Sequence, residues 1–436
     1  MPMSHKCKAL YHTFGCKLNF AETASVERLF TDRGITTVSK GEAPDFIVIN
    51  SCSVTAEADR KCRSFIRSLN RKYPQAEILV TGCYAQLKPD EVAALPGVAL
   101  VAGVNSKLRL IDYVDGHFGA DIIEPAFVEA KDLRDFMPSC SRGDRTRYFL
   151  KVQDGCDYWC TYCTIPKARG RSRSGSVADI VEQARRAAAE GGKEIVITGV
   201  NIGDFGKGRD ESFLDLCKAL DRVDGIERYR ISSIEPNLLT DEIIDFVAQS
   251  RSFMPHFHIP LQSGSDKVLA LMRRRYDTAL YAAKIERVRR VLPDAFIGID
   301  LIVGARGESS ELFEESRAFV ASLPVSHVHV FPYSERPGTR ALEIEGVVEQ
   351  AEKHRRVAVM TALSAEKHAD FARQYLGSVR PVLLEHPRKG MPMGGFTDNY
   401  LRIEADVDPA NDNLVRRMHL DSLGDDGETI KARLAD

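Results

Sequence analysis

Short apolar runs alternate with amphipathic, helix-length stretches along most of the chain, a pattern of strands packed beneath helices. Over residues 1–135 the runs at 10–14, 46–50 and 78–81 predict strands, and helical spacing follows at 19–33, 57–72 and 89–95. Strands alternating with helices predict an α/β unit with a doubly wound parallel sheet. Residues 136–146 are polar, carry Pro138 and Gly143, and read as a linker. The rhythm resumes over 147–375, with candidate strands at 149–153, 194–198, 229–232, 256–260, 296–303 and 327–332. Roughly six βα units suit a partial (βα)6 barrel better than a second open sheet. A long helical stretch at 350–375 is placed to close it. From 376 to 436 the character changes to strand-like runs at 379–384, 401–405, 415–419 and 430–434 between Gly, Pro, Asn and Asp, a small all-β barrel.

Composition adds limits. A chain of 436 residues, 44% hydrophobic and 28% charged, has material for two or three ordinary globular domains. The formal charge of −2 gives no overall attraction to nucleic acid, so any RNA contact must come from local basic patches. The first ten residues do not read as a signal peptide, and no run approaches the ~20 apolar residues that span a bilayer. No membrane contact and a cytoplasmic location are expected, where disulfides are rare. Ten cysteines then call for metal or redox chemistry.

The densest chemistry lies in Gly155-Cys156-Asp157-Tyr158-Trp159-Cys160-Thr161-Tyr162-Cys163, a loop directly after a predicted strand. A closed zinc site needs four protein ligands, yet no histidine occurs between His117 and His256 and no fourth cysteine is near. Three cysteines at this spacing suit a 4Fe-4S cluster with one iron left open to a small chelating ligand. Cys16, Cys52 and Cys83 each follow a predicted strand of the first unit. Functional groups of an open parallel sheet gather beyond the carboxyl ends of its strands, so these three converge and suit a second cluster. Cys62 falls within a helix and is not a ligand. Cys7, Cys140 and Cys217 read as small buried hydrophobes.

The Cys-x3-Cys-x2-Cys loop, with Tyr162 before its last cysteine, resembles the radical S-adenosylmethionine superfamily. Both trios on one chain resemble its methylthiotransferase family. The likeness extends through Thr13-Phe14-Gly15-Cys16-Lys17-Leu18-Asn19 with Glu22, Asn50-Ser51-Cys52-Ser53-Val54-Thr55 and Thr81-Gly82-Cys83. It continues through Ser232-Ser233-Ile234-Glu235-Pro236, His258-Ile259-Pro260-Leu261-Gln262-Ser263-Gly264-Ser265, and Phe331-Pro332-Tyr333-Ser334 leading to Gly338-Thr339. The resemblance implies two 4Fe-4S clusters, S-adenosyl-L-methionine as cofactor, and a C-terminal TRAM-like barrel that contacts substrate RNA. It makes Cys16, Cys52, Cys83, Cys156, Cys160 and Cys163 cluster ligands. It places Tyr162, Gly192, Glu194, Ser233, Glu235 and Gln262 beside the cofactor. One departure is Gly304-Ala305-Arg306-Gly307-Glu308, where family members usually carry Gly-Phe-Pro-Gly-Glu; an apolar contact and a fixed φ are lost.

The Gly-Cys-Lys-Leu-Asn segment is most similar to the branch acting on N6-threonylcarbamoyladenosine at tRNA position 37. Alternatives are the isopentenyladenosine branch, the branch acting on a ribosomal-protein aspartate, and a non-catalytic iron–sulfur RNA-binding sensor. The implied partners are a tRNA anticodon stem-loop and an electron donor such as flavodoxin or ferredoxin, with the protein monomeric. Arg142, Arg145, Arg147 and Lys151 before the cysteine loop, and Lys167, Arg169, Arg171 and Arg173 after it, are candidate phosphate contacts. So are Arg273–Arg275, Arg287, Arg289 and Arg290. Residues 376–436 hold eight Lys/Arg against eleven Asp/Glu, leaving Arg388, Lys389, Arg402, Arg416 and Arg417 as a local patch. Phe396 and Tyr400 are placed to stack on bases or to pack. His256, His258, His327 and His329 read as packing or substrate contacts rather than metal ligands.

Overall fold

A computed structural model describes residues 7–39, 41–116, 127–141 and 146–435. Residues 142–145 of the expected linker, with Arg142 and Arg145, lie outside the described residues. The first sheet has five parallel strands in the order Thr36–Thr37, Lys8–Thr13, Phe46–Ser51, Glu77–Gly82 and Val98–Val101. Every position of Phe46–Ser51 is buried because both faces are covered. Val26 and Phe30 of the helix Lys17–Asp32 pack on one face, and Ile66 and Leu69 of the helix Ala56–Lys72 pack on the other. The strand order reverses between Lys8–Thr13 and Phe46–Ser51. In a doubly wound sheet that reversal opens a crevice at the carboxyl ends.

Six parallel strands follow: Arg147–Lys151, Glu194–Thr198, Arg228–Ile231, His256–His258, Phe296–Val303 and His327–Pro332. Single bridges, Tyr229 to Phe253 and Ser233 to His258, join the third strand to the fourth. The result is the partial barrel the alternation predicts, edged by the short antiparallel strand Ser139–Cys140. Side chains alternate with period two. Tyr148, Leu150, Ile195, Ile197, Phe257 and Ile299 face outward into the main core under the helices. Phe149 and Val196 face inward, where they meet Ala21 and Phe20 of the first unit's helix. The helix Gln350–Arg373 closes on the last strand, its Ser364 Oγ accepting from Val328 N at 2.9 Å.

The C-terminal segment is a closed barrel of five strands, in the order Val379–Leu384, Met393–Thr397, Arg402–Ala405, Ile430–Leu434 and Val415–Leu423. Its second strand is one the sequence pattern does not predict, since two glycines dilute the β signal. Among the described residues no helix is long and apolar enough to cross a membrane.

Candidate active site

The strands of the first sheet deliver Cys16, Cys52 and Cys83 to the crevice at the reversal of strand order. Gly15 has φ +99°, and a Cβ there would lie 2.8 Å from both Cβ and Sγ of Cys52. The turn before Cys16 therefore packs directly on Cys52. Gly82, with φ +101°, passes Cys83 across Ser51 so tightly that a Cβ would be 2.3 Å from Ser51 O. Asn19 staples the first two loops, its Nδ2 donating to Phe14 O at 2.8 Å and Ser51 O at 3.2 Å. Ser51 Oγ accepts from Ala85 N at 3.2 Å and so links the second loop to the third. Cys52 and Cys83 are buried and Cys16 is exposed. Burial, with neighbouring Cys83 and Cys16 adding, pushes the Cys52 thiol up to about 11.

The second trio wraps the loop after the first barrel strand. Tyr158 N points at Cys156 Sγ and Ile165 N at Cys163 Sγ, each at 3.4 Å. Arg274 Nη1 donates to Cys160 Sγ at 3.1 Å and pairs with Glu235. Burial raises the Cys156 and Cys163 thiols to about 12. All six are free thiols, and each but Cys16 is served by a backbone N–H or a guanidinium, a donor set that fits iron–sulfur ligation. Among the described residues no three His, Cys, Asp or Glu side chains group tightly enough to hold a single metal ion. A cubane takes one thiolate per iron, so each cysteine trio would leave one iron open.

The two trios face each other across a buried ionic network. Arg169, on the helix Ile165–Arg169 just after the cysteine loop, is 1% exposed. Its Nε donates to Cys83 Sγ at 3.3 Å, Nη2 to Asn19 Oδ1 at 2.6 Å, and Nη1 to Glu22 and Asp154 at 3.0 Å each. Lys151 Nζ joins Glu22 at 2.7 Å to Asp154 at 2.8 Å, and Lys107 also pairs with Glu22. Burial works to raise the Glu22 carboxyl, but Arg169, Lys107 and Lys151 together hold it far below the usual range. A second clamp lies beside Cys52, where Arg336 Nη2 donates to Ser53 Oγ at 2.7 Å and to Asp59 at 2.9 Å.

This network corrects part of the sequence reading. Lys151, Arg169 and Arg173 are consumed by Glu22 and Asp154, so they are not phosphate contacts. Arg147 lies over the Phe396 ring at 4.2 Å and pairs with Glu385. Arg287 pairs with Asp245, and Arg289 caps carbonyls of Pro293, Ala295 and Pro324. Phe396 and Tyr400 stack on each other at 5.0 Å against Arg147 and Arg230, which is packing. Arg388, Lys389, Arg402, Arg416 and Arg417 are exposed. Arg388 and Arg402 line a cleft of about 630 Å³ between the C-terminal barrel and the first barrel strand.

The expected cofactor residues divide. Glu235 stands beside Cys160 through Arg274, and Ser233 and Gln262 follow the third and fourth strands at their carboxyl ends. Tyr162 packs with Met272, Ala305 and Tyr333, Ala305 filling this cluster where the family carries phenylalanine. Arg306 Nε binds Glu335 at 2.7 Å and Nη1 binds Leu342 O at 2.8 Å, fixing the loop that proline otherwise stiffens. Gly192 and Glu194 are not near the loop. They sit at the amino end of their strand, where Glu194 pairs with Arg147's position rather than Lys151's, about 13 Å of strand away. Gly192 packs its turn on the Tyr148 ring. Glu194 is fully buried against Arg230 Nε at 2.8 Å, and Arg230 in turn donates to Thr397 O and Asp398 O of the C-terminal barrel. At the carboxyl end stands Asn201, whose N donates to Gln153 Oε1 at 2.7 Å, a position the sequence reading missed.

Residues 8–103 match the uncharacterized protein family UPF0004, and residues 150–320 match the radical SAM superfamily. The threonylcarbamoyladenosine tRNA methylthiotransferase MtaB of Bacillus subtilis is 38% identical, covering 90% of this chain and 89% of the relative. The protein of the same name from Thermotoga maritima is 36% identical over 90% of each. The tRNA-2-methylthio-N(6)-dimethylallyladenosine synthase of Syntrophotalea carbinolica is 33% identical over 87% of this chain and 88% of the relative. In fold, the chain is similar to the radical S-adenosylmethionine methyltransferase TsrM of Kitasatospora setae, with TM-score 0.56, 13% identity and 77% of each chain covered.

Proposed function

The chain belongs to the radical S-adenosylmethionine methylthiotransferase family, and from that premise we propose that it converts N6-threonylcarbamoyladenosine at tRNA position 37 to its 2-methylthio derivative. The observation that carries the reading is a pair of three-cysteine sites held against one another by Arg169. When bound, two 4Fe-4S clusters and S-adenosylmethionine supply a methylated sulfur and a carbon radical that activates the base. Cys156, Cys160 and Cys163 hold one cluster, and Cys16, Cys52 and Cys83 hold the other.

The chain's own residues do the positioning. Arg274 offsets thiolate charge at Cys160 and fixes Glu235, which with Ser233 and Gln262 lines the cofactor side. Arg169 offsets charge at Cys83. The fixed network of Glu22, Asp154 and Lys151 keeps the two cysteine trios in register, as transfer between groups they would hold requires. The exposed arginines of the C-terminal barrel offer phosphate contacts to an anticodon stem-loop. The enzyme works as a cytoplasmic monomer, reduced by a flavodoxin or ferredoxin.

The test is made anaerobically with reconstituted protein, S-adenosylmethionine and reductant, on tRNA bearing either threonylcarbamoyladenosine or isopentenyladenosine. Mass spectrometry of the digested RNA is expected to find the methylthio product on the first substrate only. Product on the isopentenyl substrate alone moves the protein to the other tRNA branch. 5′-Deoxyadenosine without either product rejects both acceptors.

A further inference from the structure

The lumen of the partial barrel has a polar wall that the chemistry described so far does not use. His258, Asp300 and His329 project inward from three adjacent strands, opposite in face to Phe257, Ile299 and Val328 of the outer core. The rings of His258 and His329 stack at 5.2 Å. Between them the strand carries Gly298, where a Cβ would touch both rings at 3.7 and 3.9 Å. Asp300 is engaged by His258 Nε2 at 2.9 Å. No histidine cluster here groups as a metal site among the described residues.

On the first unit's helix Lys17–Asp32, Lys17, the residue after Cys16, lies one turn before Phe20 and Ala21, which meet the inward-facing Phe149 and Val196. It is half-buried and makes no hydrogen bond or ion pair among the described residues. Its charge is felt across the lumen. Burial and His258 lower the His329 pKa, and Lys17 adds to the effect. Burial raises Asp300, but His258, His329 and Lys17 together hold it low. Lys17 thus carries a positive charge toward Asp300 without a direct ion pair, one residue from a cysteine of the first trio. The wall opens at the free edge of the barrel, where a groove of about 290 Å³ is lined by His327, His329, Phe331 and Glu428. Phe331 is 50% exposed there, an aromatic face on which a splayed base can stack.

We propose that Lys17, with His258 and His329 across the lumen, receives a carboxylate on the side chain of the substrate nucleoside and so selects an acidic N6-substituent over an apolar one. This rests on the threonylcarbamoyladenosine reading, whose threonyl portion ends in a free carboxylate. A lysine with no protein partner beside imidazole donors is built to take an anion. It offers an isopentenyl group nothing, and leaves a desolvated charge unpaired if that group enters. A carboxylate also occurs on the methionine portion of S-adenosylmethionine, so the test separates the two sources.

Fluorescence anisotropy without S-adenosylmethionine would compare an anticodon stem-loop carrying threonylcarbamoyladenosine with the same stem-loop as its methyl ester. The unaltered protein is expected to prefer the acid by about 10- to 100-fold, the range of a hydrogen bond to a charged group. Lys17→Met abolishes that preference, Lys17→Arg keeps it, and His329→Phe, farther from the cysteines, narrows it. Iron content and circular dichroism report whether each variant is folded. A Lys17→Met protein that still prefers the acid overturns the proposal. So does one that keeps the preference while losing affinity for S-adenosylmethionine, which would give Lys17 to the cofactor's carboxylate. Absence of product on threonylcarbamoyl-tRNA with the unaltered protein would instead sink the substrate reading itself, whatever Lys17 does.

Discussion

Arg169 touches both halves of the site at once, and its removal has a definite expected cost. Arg169→Met leaves buried Glu22 with only Lys107 and Lys151, and Asp154 with Lys151 and Arg173. Breaking such a network costs about 3 kcal/mol, measured as a lowered urea midpoint. Arg169→Lys restores part of the charge but cannot reach Cys83, Asn19 and Glu22 together, because only a guanidinium offers that fork of donors. The sequence reading took Arg169 for a phosphate contact. Its partner Glu22 lies 147 positions away, so no local spacing announces the pair. The cysteines were legible because each follows a predicted strand, and topology alone then gathers them. Glu194 was misread although the information was present. It opens the strand 194–198, and groups at the start of a parallel strand lie at the end opposite the site.

At the scale of elements, the turns that aim the cysteines hold the constraint. Gly82 occupies a backbone region open only to glycine, with Ser51 against its missing side chain. Gly82→Ala is expected to strip iron from the first site while the second keeps its own, so that iron content falls by about half. Iron and sulfide assay of the reconstituted variant checks this. The strand–helix alternation gave the six barrel strands and three strands of the first sheet, leaving out Thr36–Thr37 and Val98–Val101. It failed at Met393–Thr397, where Gly395 is required because a Cβ would lie 2.6 Å from Leu383 O. That requirement comes from the neighbouring strand, and a single strand's own pattern cannot display it.

Over the whole molecule, buried charge joins the three units alongside two apolar clusters, Phe20 and Ala21 on Phe149 and Val196, and Phe296, Phe371 and Tyr375 on the C-terminal barrel. Glu22 and Asp154 both have pKa values depressed below their ordinary 4.5 and 3.8. Burial opposes that shift, and the neighbouring Arg and Lys charges overcome it. A depressed carboxyl stabilises the fold above its unfolded pKa and loses that contribution as pH falls below it. The thermal midpoint is therefore expected to drop steeply as pH falls from about 5 toward 3, and Glu22→Gln to flatten the curve. At the other end, Arg230 ties Glu194 to the hairpin Thr397–Asp398 of the C-terminal barrel. Arg230→Met leaves Glu194 without its closest cation, and limited proteolysis should then release the C-terminal barrel before the rest of the chain is cut.

The central claim is that one chain carries two separate three-cysteine iron–sulfur sites. Iron and sulfide are counted after anaerobic reconstitution of the unaltered protein and of the variant with Cys16, Cys52 and Cys83 all changed to alanine. The expected counts are about eight irons and about four, the variant still cleaving S-adenosylmethionine to 5′-deoxyadenosine while making no methylthio product. About four irons in the unaltered protein, or no loss in the triple variant, would contradict the second site and the methylthiotransferase chemistry built on it.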